Sequence, residues 1–119
     1  MEDEIDLVQR TLEKVTNKWT IRILCAYSED QSPIRFNELK RQVGGITQKV
    51  LSQHLRRLVR SGLLERRVQT GGVLAVEYAV TPLGQTLREP LSVWYDWAQA
   101  NAEAIDRCEA DFDRTASFS

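Results

Sequence analysis

Apolar positions recur at helical spacing toward both ends of the chain and alternate like a strand in the stretch between them. Ile5, Val8, Leu12 and Val15 fall three and four residues apart and predict an amphipathic helix over residues 5–15. Asn17 suits the N-cap of a second helix bearing Trp19, Ile21, Ile23, Leu24 and Tyr27. Its apolar residues lie nearly all round, which predicts burial on most sides. Residues 28–33 are polar and end on a proline, so they read as a connection. Ile34-Arg35-Phe36 is short and extended. A third, short helix over residues 37–42 follows, with Asn37 as its cap and Phe36, Leu39 and Val43 turned inward.

Gly44-Gly45 permits a sharp change of direction, Ile46 plugs the corner, and Thr47 is a good N-cap for a helix over Gln48–Arg60. Gly62 suits a left-handed cap at its end. Two strand-like runs, 63–69 and 73–80, flank Thr70-Gly71-Gly72, a hairpin signal. The alternation predicts Leu74, Val76, Tyr78 and Val80 on the core face, with Val73, Ala75, Glu77 and Ala79 on the other. Thr81-Pro82 opens a last helix over about 82–109 carrying Leu83, Leu87, Leu91, Trp94, Tyr95, Trp97, Ala98 and Ile105. Pro90 is a point where it kinks or divides, and the polar tail beyond Glu109 is expected to fray.

The order is helix, helix, short helix, glycine turn, helix, hairpin, long helix. The fold class is therefore mainly α with a β-hairpin: a helix-turn-helix over residues 36–61, a wing over 63–80, and additional helices at each end. A length of 119 residues predicts one domain, 1–119.

Charge sharpens this picture. The formal net charge is only -1. Between residues 35 and 67, however, nine basic residues stand against two acidic ones, a net of +7, so the flanks carry -8. The basic block is a candidate phosphate-facing surface, with a solvated helix face as the plain alternative. On a helical wheel, Val50, Leu51, Leu55, Leu58 and Val59 take one side of Gln48–Arg60. Lys49, Ser52, Gln53, Arg56, Arg57 and Arg60 take the other, with no carboxylate among them. Arginine can bond guanine, and glutamine adenine, through paired hydrogen bonds in the major groove. Gln48, Lys49, Ser52, Gln53 and Arg56, on the first turns, are the candidates for base edges. Thr47 and the free N–H groups of the first turn suit a phosphate. Arg57 and Arg60 suit the DNA backbone, as do Arg35, Lys40 and Arg41 before the helix and Arg66 and Arg67 after it. Arg66 and Arg67 alternate across a strand, so one of the two is expected to face DNA. His54 borders the apolar face and reads as a partly buried packing residue.

The chemistry of other classes is missing. No nucleophile–base pair, phosphate-binding glycine loop or metal cluster occurs, so the chain does not read as an enzyme, and no cofactor or metal is implied. Cys25 and Cys108 form no C-x-x-C pair; Cys25, inside the second helix, is expected to be a buried, inert hydrophobe, and Cys108 to be exposed. The acidic start, Met1-Glu2-Asp3-Glu4, is unlike a secretory signal, and no apolar run spans a membrane; a cytoplasmic location is expected.

Several motifs resemble HxlR-type regulators: Asn17-Lys18-Trp19-Thr20, Phe36-Asn37-Glu38-Leu39, Gly45-Ile46-Thr47-Gln48-Lys49-Val50-Leu51-Ser52-Gln53, Leu55-Arg56-Arg57-Leu58, Gly62-Leu63-Leu64-Glu65-Arg66 and Val76-Glu77-Tyr78-Ala79-Val80-Thr81-Pro82-Leu83-Gly84. The resemblance runs from about Asp6 to Trp97. It implies a winged helix related to the MarR superfamily, acting as a transcriptional repressor or activator. It also implies a homodimer joined through the first and last helices on a palindromic double-stranded operator. Leu7, Leu12, Leu91, Trp94, Tyr95 and Trp97 are the corresponding interface candidates, and aromatic enrichment at interfaces agrees with the last three. A small-molecule effector is open, but no convergent polar set identifies a pocket. A winged helix used as a protein-interaction module is the alternative, and the basic exposed arc counts against it. Two departures stand out. Many members carry a cysteine just before the first helix, sometimes an oxidant sensor; here that position is Asp6, so the role does not transfer. The family's prolines and basic residue before the valine-glutamate-tyrosine element are replaced by Gly71-Gly72-Val73-Leu74-Ala75, a tip expected to be flexible and uncharged.

Overall fold

A computed structural model describes residues 1–69, 71 and 75–116. The chain divides into two compact units, Met1–Thr86 and Leu87–Ser119. In the first unit, α1 (Glu4–Val15) is capped by the Asp3 carboxylate, which accepts from Asp6 N–H at 2.8 Å. α2 (Lys18–Cys25) is capped by Asn17 on Thr20 N–H, also at 2.8 Å. β1 (Ile34–Arg35) leads directly into α3 (Phe36–Val43). α4 (Gln48–Arg60), β2 (Leu64–Gln69), β3 (Ala75–Val80) and the short α5 (Pro82–Gln85) complete the unit. The second unit holds α6 (Arg88–Ala116).

The core lies in the first unit. Ile23 and Leu24 of α2, Leu39 and Val43 of α3, Leu51, Leu55 and Leu58 of α4, and Leu63 and Leu64 at the wing base are buried together with Ile46 and Tyr27. The single buried polar residue among those described, Thr20, directs its hydroxyl toward the carbonyl of Lys14.

The strands form one antiparallel sheet in the order β1-β3-β2. Ile34 pairs with Tyr78 and Arg35 with Glu77; on the other edge, Arg66 pairs with Tyr78 and Arg67 with Glu77. The third strand is a departure from the expected two-stranded hairpin. Two residues carry no periodic signal of their own, and β1 exists because β3 offers it a free edge.

Four further expectations are corrected. α3 is capped at Arg35, without a side-chain bond, and Asn37 lies inside its first turn. α2 ends at Cys25 with Tyr27 beyond it, and Cys25 is exposed rather than buried. In β3 the fully buried residue is Ala79, while Val76, Tyr78 and Val80 are only half-buried, as are Ala75 and Glu77. Residues of both faces of β3 are partly covered, so its burial does not follow a simple period of two. Val73 and Leu74 of that alternation, and most of the wing tip, lie outside the described residues.

The long last helix is two helices, and the second reaches Ala116 instead of fraying at Glu109. Pro90 explains the division. In a continuous helix its ring would meet the carbonyl of Thr86 and remove one backbone bond; with α6 starting at Arg88 it sits harmlessly in the first turn.

Candidate nucleic-acid interface

The short α3, the glycine turn and α4 form the helix-turn-helix. Gly44 and Gly45 both hold positive φ, 71° and 63°, which a side chain would strain. Ile46 is buried at the corner. Thr47 caps α4, its Oγ1 accepting from Val50 N–H at 3.2 Å. At the far end, Gly62 at φ 79° donates to Val59 O (3.0 Å) and Leu63 N–H donates to Leu58 O (2.9 Å). This paired C-terminal bonding closes the helix and swings the chain into the wing. α4 therefore runs over the span its cap residues predict, Gln48–Arg60.

Its buried residues, Leu51, Leu55 and Leu58, anchor it against α2 and β2. The opposite side exposes Gln48, Lys49, Ser52, Gln53, Arg56, Arg57 and Arg60. No carboxylate interrupts this face, and Lys49, Arg56, Arg57 and Arg60 have no ion pair among the described residues. His54 is half-buried beside them, as expected. Burial and the charge of Arg57 lower its pKa below the usual histidine value. It is therefore neutral near pH 7 and adds nothing to the positive field.

Around α4 the basic residues divide by how they are held. Arg35 is exposed at the start of α3. Arg41 makes a paired contact with the Glu38 carboxylate, with Nε at 2.9 Å from Oε2. That pair, helped by Gln42, holds the Glu38 carboxyl down at about 2. Arg41 is thus already answered by a local anion, whereas Lys40 has no ion pair among the described residues. On β2, Arg67 meets Glu65 at 3.3 Å and lies across from Glu77, which accepts from Gln69 at 2.6 Å. Arg66, one residue away and on the other face, has no ion pair among the described residues. Of the two wing arginines, Arg66 carries the uncompensated charge.

α2 supports this surface from behind. Arg22 donates from Nη1 to the carbonyl of Val43 at 3.4 Å, at the mouth of the glycine turn. Its guanidinium lies 5.8 Å from the Trp19 ring centroid, and Lys18 Nζ lies 4.6 Å from the same centroid. Past the end of α2, the buried Tyr27 donates from its hydroxyl to the carbonyl of Tyr78 at 2.7 Å. Burial and the nearby Tyr78 raise the Tyr27 phenol well above its usual pKa, so it stays protonated and a donor. Neither contact was legible in the sequence, since they join positions 21 and 51 residues apart.

The interface candidates Leu7 and Leu12 on α1 are exposed, as are Ile5 and Val8 of the same stripe. On α6, Trp94, Tyr95 and Trp97 are exposed and Leu91 is half-buried. Sequence reasoning missed the rest of the α6 pattern. Leu91, Ala98, Ile105 and Phe112 recur every seven residues, with Trp94, Asn101, Cys108 and Thr115 interleaved between them. The seven-residue spacing is a heptad signal visible in the sequence once the helix is known to reach Ala116. Among the described residues, no group of three or more His, Cys, Asp or Glu side chains is placed to hold a metal ion. No helix there is long and apolar enough to cross a membrane.

Comparison with known proteins agrees with this geometry. Residues 14–106 match the family described as HxlR-like helix-turn-helix. The HTH-type transcriptional regulator YtfH of Escherichia coli (strain K12), itself uncharacterised, is 36% identical over 97 residues, covering 82% of this chain and 75% of that protein. The uncharacterised HTH-type transcriptional regulator BH0655 of Halalkalibacterium halodurans is 41% identical over 91 residues, covering 76% of this chain and 80% of its own length. Among solved structures, the redox regulator HypR in its reduced form superposes with a TM-score of 0.75 at 30% identity, over 85% of this chain and 98% of that one. The transcriptional regulator ytfH from Salmonella typhimurium superposes with a TM-score of 0.72 at 30% identity, over 87% and 90%. The relatives are regulators rather than enzymes, and this chain, with its winged helix-turn-helix, belongs to the HxlR-like family of transcriptional regulators.

Proposed function

We propose that the protein binds double-stranded DNA sequence-specifically as a homodimer, with α4 in the major groove of each half of a palindromic operator. The observation that carries this reading is the exposed face of α4. It presents Lys49, Ser52, Gln53 and Arg56, all hydrogen-bond donors, on a helix that its opposite face holds firmly in the core. Gln48, Lys49, Ser52, Gln53 and Arg56 meet base edges. Thr47, Arg35 and Arg57 hold phosphates, and Arg66 reaches the backbone from the wing with Arg67 in a lesser part. The Thr47 hydroxyl accepts from Val50 N–H and still has its own proton to donate.

The homodimer reading rests on apolar residues that the single chain leaves in solvent. Leu7 and Leu12 of α1, and Leu91, Trp94, Tyr95 and Trp97 of α6, form the contact. The seven-residue stripe of α6 is the pattern by which two helices pair along a seam. Two-fold symmetry in the protein then matches two-fold symmetry in the operator. The protein works in the cytoplasm, where its DNA is.

Arg56→Ala tests the base-reading assignment. Binding to a selected operator is expected to weaken by about 1–3 kcal/mol, with relaxed preference at one base position. An unchanged sequence preference removes Arg56 from the base-reading set.

A further inference from the structure

Tyr27 sits where the helical layer meets the sheet. It lies two residues past α2, is 5% exposed, and its hydroxyl donates to the Tyr78 carbonyl at 2.7 Å. Tyr78 is the central residue of one row across the sheet, with Ile34 of β1 on one side and Arg66 of β2 on the other. This hydrogen bond ties the buried ring to the row that ends on Arg66, the wing arginine with no ion pair among the described residues. The same α2, with Ile23 and Leu24 buried, also packs against α4. One short helix thus contacts the back of the α4 face and, just past its end, the middle of the wing.

We propose that Tyr27 is a positioning residue that sets the offset between the wing and α4, so that Arg66 and the α4 face meet one duplex together. The inference rests on the DNA-binding reading above. Tyr27 itself is buried and touches no DNA. Its hydroxyl acts through the Tyr78 backbone; without it the row is held by its pairing with Ile34 of β1, which runs into α3, and by the wing base. There Leu63 and Leu64 are buried, and the Thr81 hydroxyl donates to the carbonyl of Gly62.

Tyr27→Phe removes only the hydroxyl and keeps the ring in the core. At temperatures well below unfolding, where a purely stabilising contact would not alter affinity, the variant is expected to bind a random-sequence duplex about threefold to tenfold more weakly, the range one net hydrogen bond supplies. In an Arg66→Ala background the same substitution should have no further effect, because the contact it positions is already gone. Equal losses in both backgrounds, or no loss in either, overturn the proposal. Amide hydrogen exchange on the free protein provides a second measurement. Amides of residues 64–69 and 75–80 should exchange faster in Tyr27→Phe while those of α4 do not, and an unchanged wing also overturns it. If the wild type binds no duplex yet the wing amides respond, the DNA-binding reading fails and the positioning of the wing by Tyr27 stands.

Discussion

Thr47 and Gly62 show how single residues place the proposed reading surface. One satisfies an amide at the start of α4, and the other takes the left-handed conformation that ends it. Both are local effects, which is why the bounds of α4 could be read from sequence. Exposure of Cys25, the Arg22 contact to Val43 and the Tyr27 contact to Tyr78 depend on which helix lies against which strand, and no window of sequence contains that. Glu38 provides a residue-scale prediction. Its carboxyl is held at about 2, below the ordinary 4.5, by the hydrogen bonds from Arg41 and Gln42. A depressed carboxylate stabilises the fold above its unfolded value, and that contribution is lost as the pH falls from about 4.5 through about 2. Thermal melting followed over that window should show a decline that Glu38→Gln flattens. The exposure of the pair keeps the effect small, and identical pH profiles would refute the assignment.

At the scale of elements, the joint between the wing and α5 leaves no room for a side chain at Gly84. A Cβ on Gly84 would collide with the backbone carbonyl of Leu63 and come within 2.8 Å of Val80 Cγ1. The obstacle is mainly backbone, so it cannot rotate away. Gly84→Ala is expected to cost about 1–3 kcal/mol, read as a lower midpoint in urea unfolding; an unshifted midpoint would mean the joint gives way freely. Helices with strong caps were legible here, and the two-residue β1 was not, because its pairing is decided by the edge that β3 presents. The division between α5 and α6 could have been placed from Pro90 alone, by asking which carbonyl its ring would strike. Extension of α6 to Ala116 was also written in the sequence, in the seven-residue recurrence of Ile105 and Phe112 after Leu91 and Ala98, but a window of one or two turns does not reveal it.

At the scale of the whole molecule, charge and apolar surface separate along the chain. The basic block lies on the helix-turn-helix and the wing base, while the unburied apolar stripes lie on α1 and α6. The proposed dimer predicts that Ile105→Glu, a charge placed on the α6 seam, shifts the protein to monomer in sedimentation equilibrium without loss of helical signal. A dimer that persists unchanged would move the contact off this stripe. Binding by two protomers then requires phosphates to be neutralised on both half-sites. The most direct test is the affinity of the wild-type protein for a duplex measured across a range of salt concentrations. Each phosphate contact contributes a slope of about -0.9 in log affinity against log salt. With Arg35, Arg57 and Arg66 on phosphates, and Arg67 in a lesser part, the interface predicts a steep fall corresponding to several contacts per protomer. An affinity that stays flat as salt rises would contradict the assignment of this face to DNA.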